Sequence, residues 1–143
     1  MYVRIENHHG FIIKGFRSQI VGLEDFSRAR KKLLNSLDKI NINPRVTYGV
    51  ILSPQSDMLT VEAYIAGIIG NSSMTLNGMQ EVLISSGRYV IASMGNETYD
   101  VFELLTSLRD AAFFRFRQAP IVEKYIRNTE TGECDIELWV PIE

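Results

Sequence analysis

The sequence predicts an α+β fold made of two strand–helix–strand–strand units, with an antiparallel sheet, two helices and a central ligand groove. Three observations predict it. Two apolar stripes recur at helical spacing, at Phe26, Ala29, Leu33, Leu37 and Ile40 and at Val101, Leu104, Leu105, Leu108 and Ala112. Each is preceded by one strand-like region and followed by two more. A small, polar stretch, Gly70 to Gly78, separates the two runs.

The elements follow in order. The first strand region runs from about Tyr2 to Ile20 and is broken at His9-Gly10. The first helix has Glu24 and Asp25 at its start, where the helix dipole favours negative charge, and Asn43-Pro44 closes it. Strands follow near Thr47–Leu52 and Leu59–Ile69, joined by the turn Ser53-Pro54-Gln55-Ser56-Asp57. In the second unit a strand region spans about Gln80 to Ser93, interrupted at Ser85-Ser86-Gly87. A helix from about Thr98 to Ala112 carries Asp100 and Glu103 in its first turns. The last strands lie near Ile121–Arg127 and Asp135–Ile142. The chain is thus expected to be one domain over 1–143, with unit one at about 1–70 and unit two at about 79–143. Two such units cannot each hide an apolar face alone, so they should pack together around a groove.

Composition excludes several functions. The chain has 143 residues, 45% hydrophobic and 22% charged, with a formal net charge of −2. That charge gives no field to attract nucleic acid, and direct nucleic-acid binding is not expected. No apolar run approaches the ~20 residues of a membrane span. One cysteine, Cys134, cannot form an internal disulfide, and no secretory leader is evident, so a cytoplasmic protein is expected. No phosphate loop, dinucleotide fingerprint or serine elbow occurs, and no cofactor is expected. His8 and His9 are adjacent with no cysteine or acid cluster nearby, which reads as a surface turn rather than a metal site.

The last strand, Asp135 to Ile142, carries the first sign of a binding site. Side chains alternate faces along a strand, so Ile136, Leu138 and Val140 share one face and Asp135, Glu137 and Trp139 the other. An acid beside a large aromatic is costly unless its charge is offset. Glu62-Ala63-Tyr64 and Glu123-Lys124-Tyr125 repeat this spacing, and the matched order of the halves puts Glu62-x-Tyr64 and Glu137-x-Trp139 in equivalent places. Acids among aromatic walls suit a flat, apolar cation. The plain alternatives are solvated acids, or salt bridges to Arg115 or Arg117, with Trp139, Tyr64 and Tyr89 packed in the core. The basic run Arg28 to Lys32 reads as the solvated face of the first helix. Phe113 to Arg117 reads as a connector that packs its rings on the core.

Five motifs resemble the GyrI-like small-molecule-binding domain, the effector-binding domain of AraC- and MerR-type regulators. They are Tyr64-Ile65-Ala66-Gly67, Gly87-Arg88-Tyr89-Val90, Gly95 at a turn, Pro120 to Tyr125, and Glu137-Leu138-Trp139-Val140-Pro141-Ile142. The turn Ser93 to Glu97 lacks the histidine and proline usual there. The resemblance implies a pocket for cationic aromatic ligands lined by Glu123 and Glu137, with Tyr125, Trp139, Tyr64 and Tyr89 as walls. It also implies two alternatives. One is a hydrolase opening strained cyclopropane-bearing compounds, with Glu123 and Glu137 as its acid and base. The other is a protein inhibitor of an enzyme such as gyrase, so a protein partner is left open. No helix-turn-helix is expected ahead of the domain, so a DNA-binding regulator is not expected unless a partner supplies that part.

Overall fold

Eight strands and two helices appear in the computed structural model, which describes residues 2–53, 61–70, 76–95, 99–111 and 114–143. The strands are β1 (Tyr2–His8), β2 (Phe11–Gln19), β3 (Val46–Leu52), β4 (Ala63–Ile69), β5 (Gln80–Ile84), β6 (Gly87–Gly95), β7 (Ile121–Arg127) and β8 (Cys134–Ile142). The helices are α1 (Glu24–Asp38) and α2 (Val101–Asp110). All strands pair antiparallel in one sheet of order β1-β6-β8-β7-β3-β4-β2-β5. This is the expected α+β architecture. Read outward from the central β7–β3 pair, the order repeats. The units β2-α1-β3-β4 and β6-α2-β7-β8 take the same strand order on either side of the β7–β3 pair, the topology of a pseudo-dyad between β3 and β7. The expected turn at Ser53–Asp57 and the connector at Gly70–Gly78 fall largely outside the described residues.

Both expected strand breaks are real, and each does more than interrupt a strand. Beyond His9-Gly10 the chain continues at the other end of the sheet: β1 pairs with β6, while β2 pairs with β4 and β5. Beyond Ser85-Ser86 the same happens in reverse, with β5 on β2 and β6 on β1 and β8. Each half therefore lends its first strand to the edge of the other.

This connectivity forces curvature. Five strands separate β1 from β2 in the sheet, so a flat sheet would hold them ~29 Å apart. His8 and Phe11 can span only ~10 Å. The sheet must roll, and the rings prove that it does. Phe11 on β2 lies 5.8 Å from Tyr48 and 6.2 Å from Trp139 on β8 between ring centroids. The concave face buries Ile13, Val50, Ile65, Ile84, Tyr89, Ile91, Val122 and Trp139. The convex face packs Ile51, Tyr64, Ala66, Leu138 and Val140 against Leu33 and Leu37 of α1 and Leu105 and Leu108 of α2. With both faces covered, β3 and β4 read as continuous apolar runs rather than alternating ones.

The helices have local causes. In α1 the Asp25 carboxylate accepts the backbone N–H groups of Val21 and Gly22, tying down the incoming chain. The helix stops at Asp38, before the expected Asn43-Pro44, because Asn41 takes a left-handed conformation at φ 59°. Asp100 caps α2, its side chain accepting from Phe102 N (2.9 Å) and Glu103 N (3.3 Å). Among the described residues no helix is long and apolar enough to cross a membrane, and no group of three His, Cys, Asp or Glu side chains is placed to hold a metal ion.

One expectation is overturned by register. β7–β8 pairing sets Glu123 opposite Leu138 and Lys124 opposite Glu137. Tyr64 belongs to the helix-side core and Trp139 to the concave core. Glu62-x-Tyr64 and Glu137-x-Trp139 are therefore not equivalent under the dyad. Spacing within a strand fixes which residues share a face, but not which face meets the helices.

The roll predicts that Phe11→Ala, a change in β2, destabilises the protein by about 2–3 kcal/mol, below the ~3–5 of a fully buried phenylalanine. The same change should red-shift the emission of Trp139, four strands away. Denaturant unfolding and tryptophan fluorescence measure both, and an unshifted emission would count against the contact.

Candidate ligand site between the helices

The centre of the site is Glu123, a charged side chain buried to 4% exposure on the helix side of β7. Burying a carboxylate costs several kcal/mol unless it is hydrogen-bonded. Three phenols supply those bonds. Tyr64 donates to Oε1 at 2.6 Å, and Tyr125 to Oε2 at 3.0 Å. Tyr99, just before the α2 cap, also donates to Oε2. Each phenol commits its proton to the carboxylate; the rings of Tyr99 and Tyr125 face the cleft, while that of Tyr64 is fully buried in the core.

The backbone makes room for this cluster. Gly49 sits opposite Glu123 on β3. A Cβ there would fall 1.8 Å from the Tyr64 hydroxyl and 2.7 Å from Glu123 Oε1. A glycine inside a strand weakens it, and this one is explained by the close approach of two buried side chains.

Above Glu123 lies a cleft of about 260 Å³ between the helices. Tyr99, Tyr125, Phe26, Val101 and Ile136 line it, with Arg30 at one side. Phe26 meets Tyr64 edge to face at 5.0 Å and approaches Phe102 of α2 at 6.3 Å, so ring contacts run from β4 through α1 to α2 behind the cleft. The Arg30 guanidinium rests over the Tyr125 ring, 3.3 Å from its centroid. Among the described residues no cationic side chain forms an ion pair with Glu123. Burial, and then the charge of Glu123, holds the Tyr64 and Tyr99 phenols well above the ordinary tyrosine value and raises Tyr125 too; Arg30 opposes this, most clearly at Tyr125.

The structure divides the residues expected to form one pocket. Glu123, Tyr125 and Tyr64 come together. Glu137, Trp139 and Tyr89 lie on the concave face of the sheet. There Glu137 Oε2 pairs with Arg4 at 2.9 Å, not with Arg115 or Arg117, and its Oε1 accepts from Trp139 Nε1 at 3.2 Å. Arg4 also bonds Ser93 and Glu6, and Glu6 pairs with His8 at 2.7 Å. The His8 ring packs on Trp139 at 4.2 Å, so this histidine belongs to a side-chain network rather than to a bare surface turn. Tyr89 donates to Ser85 O at 2.5 Å and lies under the Arg117 guanidinium. Glu137 thus has its countercharge already. Its position also removes the two-glutamate geometry of the hydrolase reading, because the sheet stands between the two carboxylates.

Three residues of the site were missed. The apolar spacing puts Tyr99 inside a helix from about Thr98, whereas the helix begins after Asp100; an aromatic just before a capping acid is the available signal. Arg30 was read as part of a solvated basic face, and nothing in its own helix indicates Tyr125. Gly49 carried a signal, a glycine among β-branched and aromatic residues.

Gly49→Ala is expected to push the Tyr64 hydroxyl off Glu123, costing about 1–3 kcal/mol, the usual range for overpacking. Equilibrium unfolding measures it; a neutral alanine would mean that the cluster is loose. The phenols give a second test. A group whose pKa rises on folding adds stability that is complete below its unfolded value, about 10 for tyrosine, and is lost as pH climbs past it. Four of the six tyrosines are raised, Tyr48 among them through burial and then Glu137. They should stay protonated beyond about pH 10 and ionise together with unfolding. Phenolate absorbance followed alongside circular dichroism checks this, and full ionisation of an intact fold would contradict it.

No family model and no curated protein matches this sequence. Solved structures do match. SAV2435 bound to tetraphenylphosphonium superposes with a TM-score of 0.66 at 12% identity, covering 100% of this chain and 94% of the other. The EcmrR C-terminal domain gives 0.66 at 10% identity over 99% and 97%. EcmrR in a DNA complex gives 0.69 at 8% identity over 99% of this chain and 57% of that longer one. At such identities the likeness is one of fold. Taken with the motifs from Tyr64 to Ile142, it gives this chain the fold of the GyrI-like small-molecule-binding domain.

Proposed function

We propose that this protein binds an amphipathic, cationic aromatic small molecule in the cleft over Glu123, and serves to sense or sequester such compounds. The observation that carries this reading is Glu123 itself. It is a buried carboxylate held by three neutral donors, at the floor of an aromatic cleft, without an ion pair among the described residues. Phenols satisfy its hydrogen bonds but bring no charge, and Arg30 beside it is stacked on Tyr125 rather than paired with the carboxylate. A ligand cation would supply that charge in a site of low dielectric, where the attraction is strong. The rings of Tyr99, Tyr125 and Phe26 would take up its apolar surface. The structural relative SAV2435, seen with tetraphenylphosphonium, supports the same ligand class.

Glu123→Gln is expected to weaken tetraphenylphosphonium binding by about 1.5–3 kcal/mol, the worth of a hydrogen-bonded charge. Glu137→Gln should change it by less than about 0.5 kcal/mol, as for a substitution away from the site. Tetraphenylborate, the anion of the same shape, should bind poorly to wild type. Isothermal calorimetry reads all three. Equal losses in the two variants, or equal affinity for the two ions, would sink the reading.

A further inference from the structure

The cleft over Glu123 has a neighbour. Arg30 and Tyr125 also line a second cleft of about 250 Å³, and their stack is the wall between the two. The second cleft has the opposite charge. Arg30, Arg45 and Arg127 line it, against the one carboxylate of Asp38, and Leu34 and Ile42 give it apolar sides.

Arg127 is held in place there. Its guanidinium donates to Asn43 Oδ1. Its Nε–H is buried and has no hydrogen-bond partner among the described residues. A buried guanidinium donor without an acceptor is costly, and such groups are rare unless a water, an ion or a ligand completes them. The planar fork of arginine matches the two oxygens of an acidic group. Arg45 stands exposed at the rim, where it can close on that group from the other side.

We propose that this second cleft is an anion subsite and that the ligand is amphoteric: an aromatic cation over Glu123, carrying an acidic arm that passes the Arg30–Tyr125 stack to Arg127 and Arg45. The proposal rests on the cation site described above. The two clefts together present a carboxylate at one end and guanidinium groups at the other. A simple cation meets repulsion from the arginines and a simple anion from Glu123, so the pair selects against both.

The test uses two probes with the same head, butyl(triphenyl)phosphonium and carboxybutyl(triphenyl)phosphonium, titrated by calorimetry at neutral pH. Wild type should prefer the carboxylated probe by about tenfold, the value of one charged hydrogen bond. Arg127→Met and the exposed Arg45→Met should each cut that preference to about twofold or less, while binding of the plain cation is kept or improved. Equal binding of the two probes by wild type overturns the subsite. So does a preference that survives in both variants. If Glu123→Gln still weakens both probes in those cases, the cation site stands and only the subsite falls. If neither probe binds wild type, the cation site falls and the subsite with it.

Discussion

The bond between the Glu123 carboxylate and its three tyrosines is what the rest of the helix-side face is arranged around. A carboxylate buried to this depth, with no ion pair among the described residues, is tolerated only because phenols reach it from three separate places: β4, β7 itself and the chain leading into α2. Each place imposes a demand. Tyr64 can reach across β3 only where Gly49 leaves its Cβ position empty. Tyr99 is aimed by the Asp100 cap, which fixes where the helix starts. Tyr125 shares a strand face with Glu123 by simple alternation. Loss of Tyr64 would leave Oε1 without its donor, a penalty of about 1–3 kcal/mol, whereas Oε2 keeps one phenol if either Tyr99 or Tyr125 is lost.

The rolled sheet explains why such a site can exist in so small a chain. With 143 residues, one core between sheet and helices would be modest. Lending β1 to one edge and β5 to the other draws the ends of the sheet together and creates a second core on the concave face. That core, with Trp139, Tyr89 and Tyr48 inside it, contributes burial that does not depend on the helices. The helix-side face can then give up packing between α1 and α2 and keep a cleft there.

The sequence made much of this readable, for a definite reason. Period and spacing are local, so α1, α2, β3, β7 and β8 were placed within a few residues. Both strand breaks, at His9-Gly10 and Ser85-Ser86, were legible as breaks. The exchange of β1 and β5 between the halves was not, because no pattern within a strand names its partner. The site divided along the same line. Glu123 and Tyr125 sit two apart on one strand, and alternation alone puts them on one face, where they hydrogen-bond. Tyr99 and Arg30 reach the site only through tertiary packing. Glu137 and Trp139 were joined to Glu123 because their spacing is the same, and spacing is silent about which face of the sheet the helices cover.

The two glutamates therefore form a controlled comparison inside one molecule. Both lie on adjacent strands, and both have an aromatic two residues on. Glu137 faces the concave core, where Arg4 arrives from β1 and pairs with it at 2.9 Å while also holding Glu6. Its charge is spent on the fold, linking Ser93, Arg4, Glu6 and His8 into one network. Glu123 faces the helices, where its partners are phenols that satisfy hydrogen bonds but bring no charge. What separates a structural acid from a candidate binding acid here is the kind of donor that shares its face: a cation closes the electrostatic account locally, whereas neutral donors leave it open to whatever enters the cleft.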